Sequence, residues 1–306
     1  MTYPFHRRNF VKSILFAPVI SKVDFSNNKP KLNPIKLKPS LNAYSFNDPL
    51  KAKTMDLMDV LDFCSKHEFE GVDLTGYYFP NYPSVPSDEY IFKLKHRAHQ
   101  LGLSISGTGI KNDFTNPDAS KRKEDIQLIK NWIEVAAKLG APVIRIFSGV
   151  MNPKGYTWDE IAQWMAKDIQ ECVAYGQKHG VIVAIQNHND FIQTADDVVK
   201  LMKLVNMEWF GLILDIGSYH QGDPYAQILQ TIPYAVNWQI KEKMYENGVE
   251  VKTDLKRIFQ MISNASKPTA IIIGGGLAGL ASAVELTTAG FAVTVVEKNA
   301  HMGGKM

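Results

Sequence analysis

The sequence predicts an α/β fold of the (β/α)₈ barrel type whose eighth strand and helix are replaced or completed by a βαβ fragment of different character. Three observations predict it. Short apolar runs start near Leu41, Val72, Leu103, Val143, Val181, Leu212 and Val236, at intervals of about 25 to 40 residues. Helical patterns lie between them, at 55–67, 88–101, 121–139, 158–179 and 195–205, and several close on glycine, as at Gly102, Gly140 and Gly180. Polar residues end many of the strands instead of gathering at one switch point, which disfavours an open doubly wound sheet.

The chain has 306 residues, 45% hydrophobic and 21% charged, a composition of ordinary globular proteins. Its net charge of +3 is spread along the chain with no basic stripe, so nucleic acid is not an expected partner. Cys64 and Cys172 fall on amphipathic helical patterns and read as core thiols. No apolar run reaches the roughly 18 residues that a spanning helix needs.

At the amino terminus, Arg7 and Arg8 precede a short apolar stretch at 14–20 and resemble a twin-arginine export signal, although Pro18 interrupts the stretch and no small-residue cleavage site follows. Export to the periplasm is the expectation, with a cytoplasmic location as the alternative. Residues 1–39 are therefore read as signal and linker, 40–266 as the barrel and 267–306 as the fragment.

Read as a barrel, the strand ends deliver a set of polar side chains. Strand two carries Asp73 and the segment after strand three Asn112. Strand four carries Arg145, strand five Gln186 and His188, strand six Asp215, and strand seven Gln239 and Lys241. Alternation along a strand puts Gln186 with His188, and Gln239 with Lys241, on one face. His188 suits proton transfer because its unperturbed pKa lies near 6.5. Arg145 suits an anion through its fork of donors. Each has a plain structural alternative: a hydrogen-bonded histidine, and for Lys241 with Asp215 a buried ion pair.

Six blocks in order, GVDLTGYY, GTGIKNDF, APVIRIFSG, AIQNHNDF, GLILDIGS and VNWQIKEK, resemble the sugar phosphate isomerase/epimerase-like proteins with the xylose-isomerase-like TIM barrel, over about residues 40–262. The resemblance implies a small carbohydrate substrate and proton transfer beside a carbonyl. It also implies a divalent metal (Mn, Mg or Zn) held by glutamate, aspartate, histidine and glutamate from strands five to eight. Asp215 matches the aspartate, but Gln186 and Gln239 stand where a glutamate and a histidine are expected. Metal on Asp215, Gln186 and Gln239 would be weak, because neutral amides ligate poorly and cannot act as bases. The residues left for chemistry are His188, Asp215 and Lys241, with Asp73, Asn112, Arg145, Gln186 and Gln239 contacting substrate.

Where an eighth strand should end in glutamate, the chain has an apolar run at 269–273, then Gly274, Gly276 and Gly279 opening a helical pattern, and Glu297 after a further apolar run. This is a dinucleotide fingerprint in context. It resembles the first Rossmann-like βαβ unit of FAD-dependent amine-oxidase or carotenoid-desaturase flavoproteins. The three glycines and Glu297 would bind FAD only if the rest of such a domain were present. A fusion or truncation that joins most of a barrel to this unit is the expectation, with 270–273 filling the eighth-strand slot and 291–296 left as an edge strand. Three functions follow: a sugar isomerase or epimerase, a barrel that binds carbohydrate without turnover, and a piece of a flavin-dependent oxidoreductase.

Overall fold

The computed structural model describes residues 38–149, 153–265, 269–273 and 292–296. The chain divides into two compact units, 35–266 on the one hand and 1–34 with 267–306 on the other. In the first, seven parallel strands alternate with helices: β1 (Ser40–Asn42), α1 (Leu57–Lys66), β2 (Gly71–Thr75), α2 (Asp88–Gln100), β3 (Ser104–Gly109), α3 (Ala119–Leu139), β4 (Val143–Ile146), α4 (Trp158–Lys178), β5 (Ile182–Gln186), α5 (Ala195–Val205), β6 (Phe210–Asp215), α6 (Pro224–Thr231) and β7 (Ala235–Gln239). The strands pair in chain order from β1 to β7.

The helix boundaries follow the local chemistry. Asp56 with Asp59, Thr157 with Glu160 and Thr194 with Asp197 form reciprocal capping boxes at the starts of α1, α4 and α5. Gly140 ends α3 at φ 80°, a conformation that costs glycine little.

Both faces of β4 to β6 are covered. The outward side chains of β4 to β6, among them Ile144, Ile146, Val183, Ile185, Leu212 and Leu214, pack into the main core with helix residues such as Ile129, Trp132, Ile169 and Leu201. The inward side chains Val143, Ala184 and Ile213 form a separate small cluster inside the barrel. Above that cluster the interior is polar, because Arg145, Gln186 and Asp215 continue the same alternation and are all buried.

Beyond β7 the structure departs from the expected pattern. The chain forms an antiparallel hairpin, β8 (Lys243–Glu246) with β9 (Val249–Lys252), and then α7 (Leu255–Ala265). The strand expected in the eighth slot, β10 (Thr269–Ile273), pairs in parallel with β11 (Ala292–Val296), from Thr269 opposite Ala292 to Ile273 opposite Val296. It is not a member of the seven-stranded sheet, and β11 is not a loose edge but its partner. The physical reason is local: two runs rich in β-branched residues satisfy each other's backbone groups as a parallel pair. Among the described residues, no eighth strand lies between β7 and β1.

Candidate functional site at the barrel mouth

Five predicted residues meet inside the mouth through one hydrogen-bonded chain. Arg145 Nη1 donates to Gln186 Oε1 at 3.2 Å, and Nη2 donates to the Tyr77 hydroxyl at 2.7 Å. Gln186 Nε2 donates to Asp215 Oδ2 at 2.8 Å and to Gln239 Oε1 at 3.0 Å. Lys241 Nζ lies 3.4 Å from Asp215 Oδ2, while the Gly217 amide donates to Asp215 Oδ1 at 3.0 Å. Gln186 is thus the hub, and its amide orientation is set by an arginine on one side and a carboxylate on the other.

Glycine makes room for the arginine. A β-carbon at Gly109 would stand 2.6 Å from Arg145 Nε, so any side chain on that position of β3 would displace the guanidinium. The guanidinium also lies 4.2 Å from the centre of the Phe147 ring and 5.5 Å from that of Tyr77. Asp73, partly buried on β2, stands beside Gly107. Burial raises its pKa to about 6, and the charge of Arg145 works against that rise.

His188 leaves this network and faces a cavity of about 360 Å³ lined by Lys111, Asn112, Asp113, Asp125, Phe147, His188 and Asp190. Its ring meets the edge of Phe147 at 4.9 Å, and its Nδ1 lies 3.8 Å from Asp190 Oδ2. Its side chain is 53% exposed; partial burial, with the charges of Arg145 and Lys241, lowers its pKa against the opposing charges of Asp190 and Asp215, which favours the neutral imidazole. Asp190 accepts from the Ser148 hydroxyl at 2.7 Å, and burial raises its pKa. Asp125, whose pKa burial also raises, accepts from the Asp113 amide at 2.8 Å.

Asn112 lines the same cavity and also has a structural tie. Its Nδ2 donates to the Phe147 carbonyl and its Oδ1 accepts from the Phe147 amide, both at 2.8 Å, so it ties the end of β3 to the end of β4. Asn187, which the strand pattern assigned to the opposite face from Gln186, does the same between β5 and β6. It bonds the Asp215 amide and carbonyl at 2.9 Å each. Tyr77, Phe147, Asn187 and Asp190 are site residues that the sequence reading did not single out. An asparagine directly after a strand was the available signal for Asn187, and the aromatic-rich GYYF for Tyr77. Gly274, Gly276, Gly279 and Glu297 lie outside the described residues, as does the twin-arginine stretch.

A divalent metal does not fit this donor set. Asp215 is the one carboxylate in the network, and both its oxygens are engaged. The carbonyl oxygens of Gln186 and Gln239 already accept hydrogen bonds, and two cationic side chains stand within the same network. Among the described residues, no three His, Cys, Asp or Glu side chains cluster as metal ligands would.

Comparison with known proteins agrees with this architecture. The barrel resembles 3-keto-D-glucoside 4-epimerase from E. coli, with a TM-score of 0.59 and 11% identity, over 88% of this chain and 94% of that one. It also resembles the IOLI protein with a bound zinc atom, with a TM-score of 0.58 and 20% identity, over 85% and 88%. A third similar structure is D-psicose 3-epimerase with D-tagatose from Clostridium cellulolyticum, with a TM-score of 0.57 and 19% identity, over 66% and 72%. At these identities the likeness is one of fold.

The carboxyl-terminal segment has separate relatives. Residues 272–306 match the NAD(P)-binding Rossmann-like domain model. Phytoene desaturase from Cercospora nicotianae is 51% identical over 45 residues, 15% of this chain and 7% of that protein. Polyamine oxidase 5 from Oryza sativa is 46% identical over 43 residues, 14% of this chain and 9% of that protein. The chain therefore spans less than a tenth of the length of these curated relatives. Among the described residues no helix is long and apolar enough to cross a membrane. Over residues 61–266, two thirds of its length, the match is to the barrel model, and the chain belongs to the xylose isomerase-like TIM barrel family.

Proposed function

We propose that the barrel binds a small carbohydrate at its mouth and does not carry out metal-dependent isomerisation. The observation that carries this reading is Gln186 at the hub of the network, joining Arg145 to Asp215 and Gln239. A neutral amide there neither holds a divalent metal tightly nor removes a proton from carbon near neutral pH. The cavity beside it has the mixture that sugars require: an aromatic face at Phe147 and charged or polar groups at Lys111, Asp113 and His188. Structural kinship to sugar epimerases supports carbohydrate as the ligand class. Melting-temperature shifts with a panel of aldoses and ketoses in EDTA, alongside an aldose–ketose conversion assay with Mn²⁺, Mg²⁺ or Zn²⁺, test it. The expected result is a sugar-dependent shift in EDTA without metal-dependent conversion. Conversion that a divalent metal switches on and EDTA abolishes would sink it.

One observation favours a second reading, proton transfer without metal. His188 favours its neutral imidazole, faces the cavity and has Asp190 at 3.8 Å to steady an imidazolium. Deuterium uptake from solvent into a bound ketose, lost in His188→Gln, would mark that chemistry. No uptake in the parent protein removes it.

A further inference from the structure

We infer that the sugar taken at the barrel mouth carries a carboxylate, which Arg145 and Lys241 hold. This rests on the carbohydrate reading and adds the chemical class of the ligand. The starting observation is a charge with no countercharge in contact. Arg145 is 7% exposed, and its two hydrogen-bond acceptors, Gln186 Oε1 and the Tyr77 hydroxyl, are both neutral. Among the described residues no carboxylate lies within 4.0 Å of it, and Asp73, whose carboxyl feels its charge, stands farther off. Arginine is rarely buried to that extent without a charged partner, because desolvating a guanidinium is costly. Here the exposed edges of its environment are aromatic faces, which steady the cation without neutralising it.

Asp215 does not fill that role. Its oxygens are taken by Gln186, Gly217 and Lys241. Lys241 in turn makes one contact to Asp215 at 3.4 Å, and its side chain is 46% exposed, leaving N–H donors directed to solvent. Lys241 reaches Asp215 directly and Arg145 reaches it through Gln186, so the two cations stand on one polar network at the mouth. A planar carboxylate matches the fork of Arg145, and the mobile ammonium of Lys241 completes the pair. Formal charges decide between oxyanions. Arg145 and Lys241 balance Asp215 and Asp73, so a monoanion adds one uncompensated charge where a phosphate dianion adds nearly two. The ligand is accordingly a uronate or related sugar acid, its hydroxyls lying towards Phe147 and His188.

Titration calorimetry of the full chain in EDTA tests this with paired ligands: glucuronate against glucose, galacturonate against galactose, and glucose 6-phosphate as the dianion. A uronate is expected to bind at least about tenfold more tightly than its parent aldose, which corresponds to about 1.4 kcal/mol. Lys241→Met should shrink that ratio to below about threefold, whereas Lys200→Met, on the outer face of α5 and paired with Asp159, should leave it unchanged. Lys241 is the decisive position because it is exposed, while a change at buried Arg145 can unfold the barrel. Uronates no tighter than their aldoses overturn the inference and leave the carbohydrate reading intact. Glucose 6-phosphate tighter than glucuronate overturns the choice of carboxylate. If neither uronates nor aldoses bind, the carbohydrate reading fails and this inference falls with it.

Discussion

Strands β4 to β6 and strand β7 belong to one sheet, yet they solve the problem of holding polar groups in opposite ways. In β4 and β6 every residue is buried, and β5 is buried from Val183 to Gln186. In β7 none is, and Val236 and Ile240 are each 41% exposed. The buried sector has a strand on either side of each member, helices outside and a small apolar plug within, so its polar groups must satisfy one another. At β7 the sheet has no further partner among the described residues, and Gln239 and Lys241 keep contact with water. The difference teaches where charge is sealed in and where it stays open to solvent: Arg145 is buried against two rings, whereas the Lys241 side chain, paired with Asp215, is half exposed.

The sharpest way to break the comparison is at the asparagine ties. Asn187→Leu would leave the Asp215 amide unpaired inside the barrel and its carbonyl with the Ser218 amide alone, at 3.3 Å. A loss of about 1–3 kcal/mol in urea unfolding is expected, the cost of one orphaned buried group. A loss under about 0.5 kcal/mol would mean that the sector is not sealed as described.

An effect of similar size and opposite sign is expected at Asp73. Its folded pKa of about 6 lies above the ordinary 3.8, so the protonated form is favoured in the fold. The stability that the group contributes is complete below about pH 4 and is lost as pH rises through 6. Asp73→Asn, which never ionises, should therefore be about 1–3 kcal/mol more stable than the parent at pH 7 and nearly equal to it at pH 4. Measuring both proteins at the two pH values cancels the other titrations. An Asn variant less stable at pH 7 would show that Asp73 serves Arg145 more than it suffers from burial.

The smallest effect belongs to β7. Ile240→Lys at its carboxyl end should change stability by no more than about 0.5 kcal/mol, since the side chain already meets water. A large loss in the same unfolding assay would reveal a partner on that edge and narrow the contrast between the two regions.

Much of the barrel was legible because strand and helix periods are local properties. All seven apolar runs coincide with parallel strands, and the glycines at 102, 140 and 180 stand with positive φ directly after helices. Alternation also grouped Gln239 with Lys241, because side chains two apart on a strand share a side, but His188, grouped with Gln186 by the same rule, lies past the end of β5 and leaves the network. Other features were not legible. The roles of Asn112 and Asn187 depend on a neighbouring strand 35 and 28 residues away. The hairpin of β8 with β9 has an Asn247-Gly248 turn in plain view, which is a strong hairpin signal, but a barrel template left no place for it.

By itself, then, the sequence determined the alternation of strands and helices and the family to which residues 61–266 belong. It also put the neutral amides Gln186 and Gln239 where the family resemblance implies a glutamate and a histidine. Only the tertiary structure decided that Gln186 joins Arg145 to Asp215, that Arg145 is buried against neutral acceptors, and that β10 takes β11 as its partner. Those outcomes depend on which strands lie side by side and how deep a side chain sits. Register and burial are set by the packing of the whole sheet, which no single stretch of chain encodes.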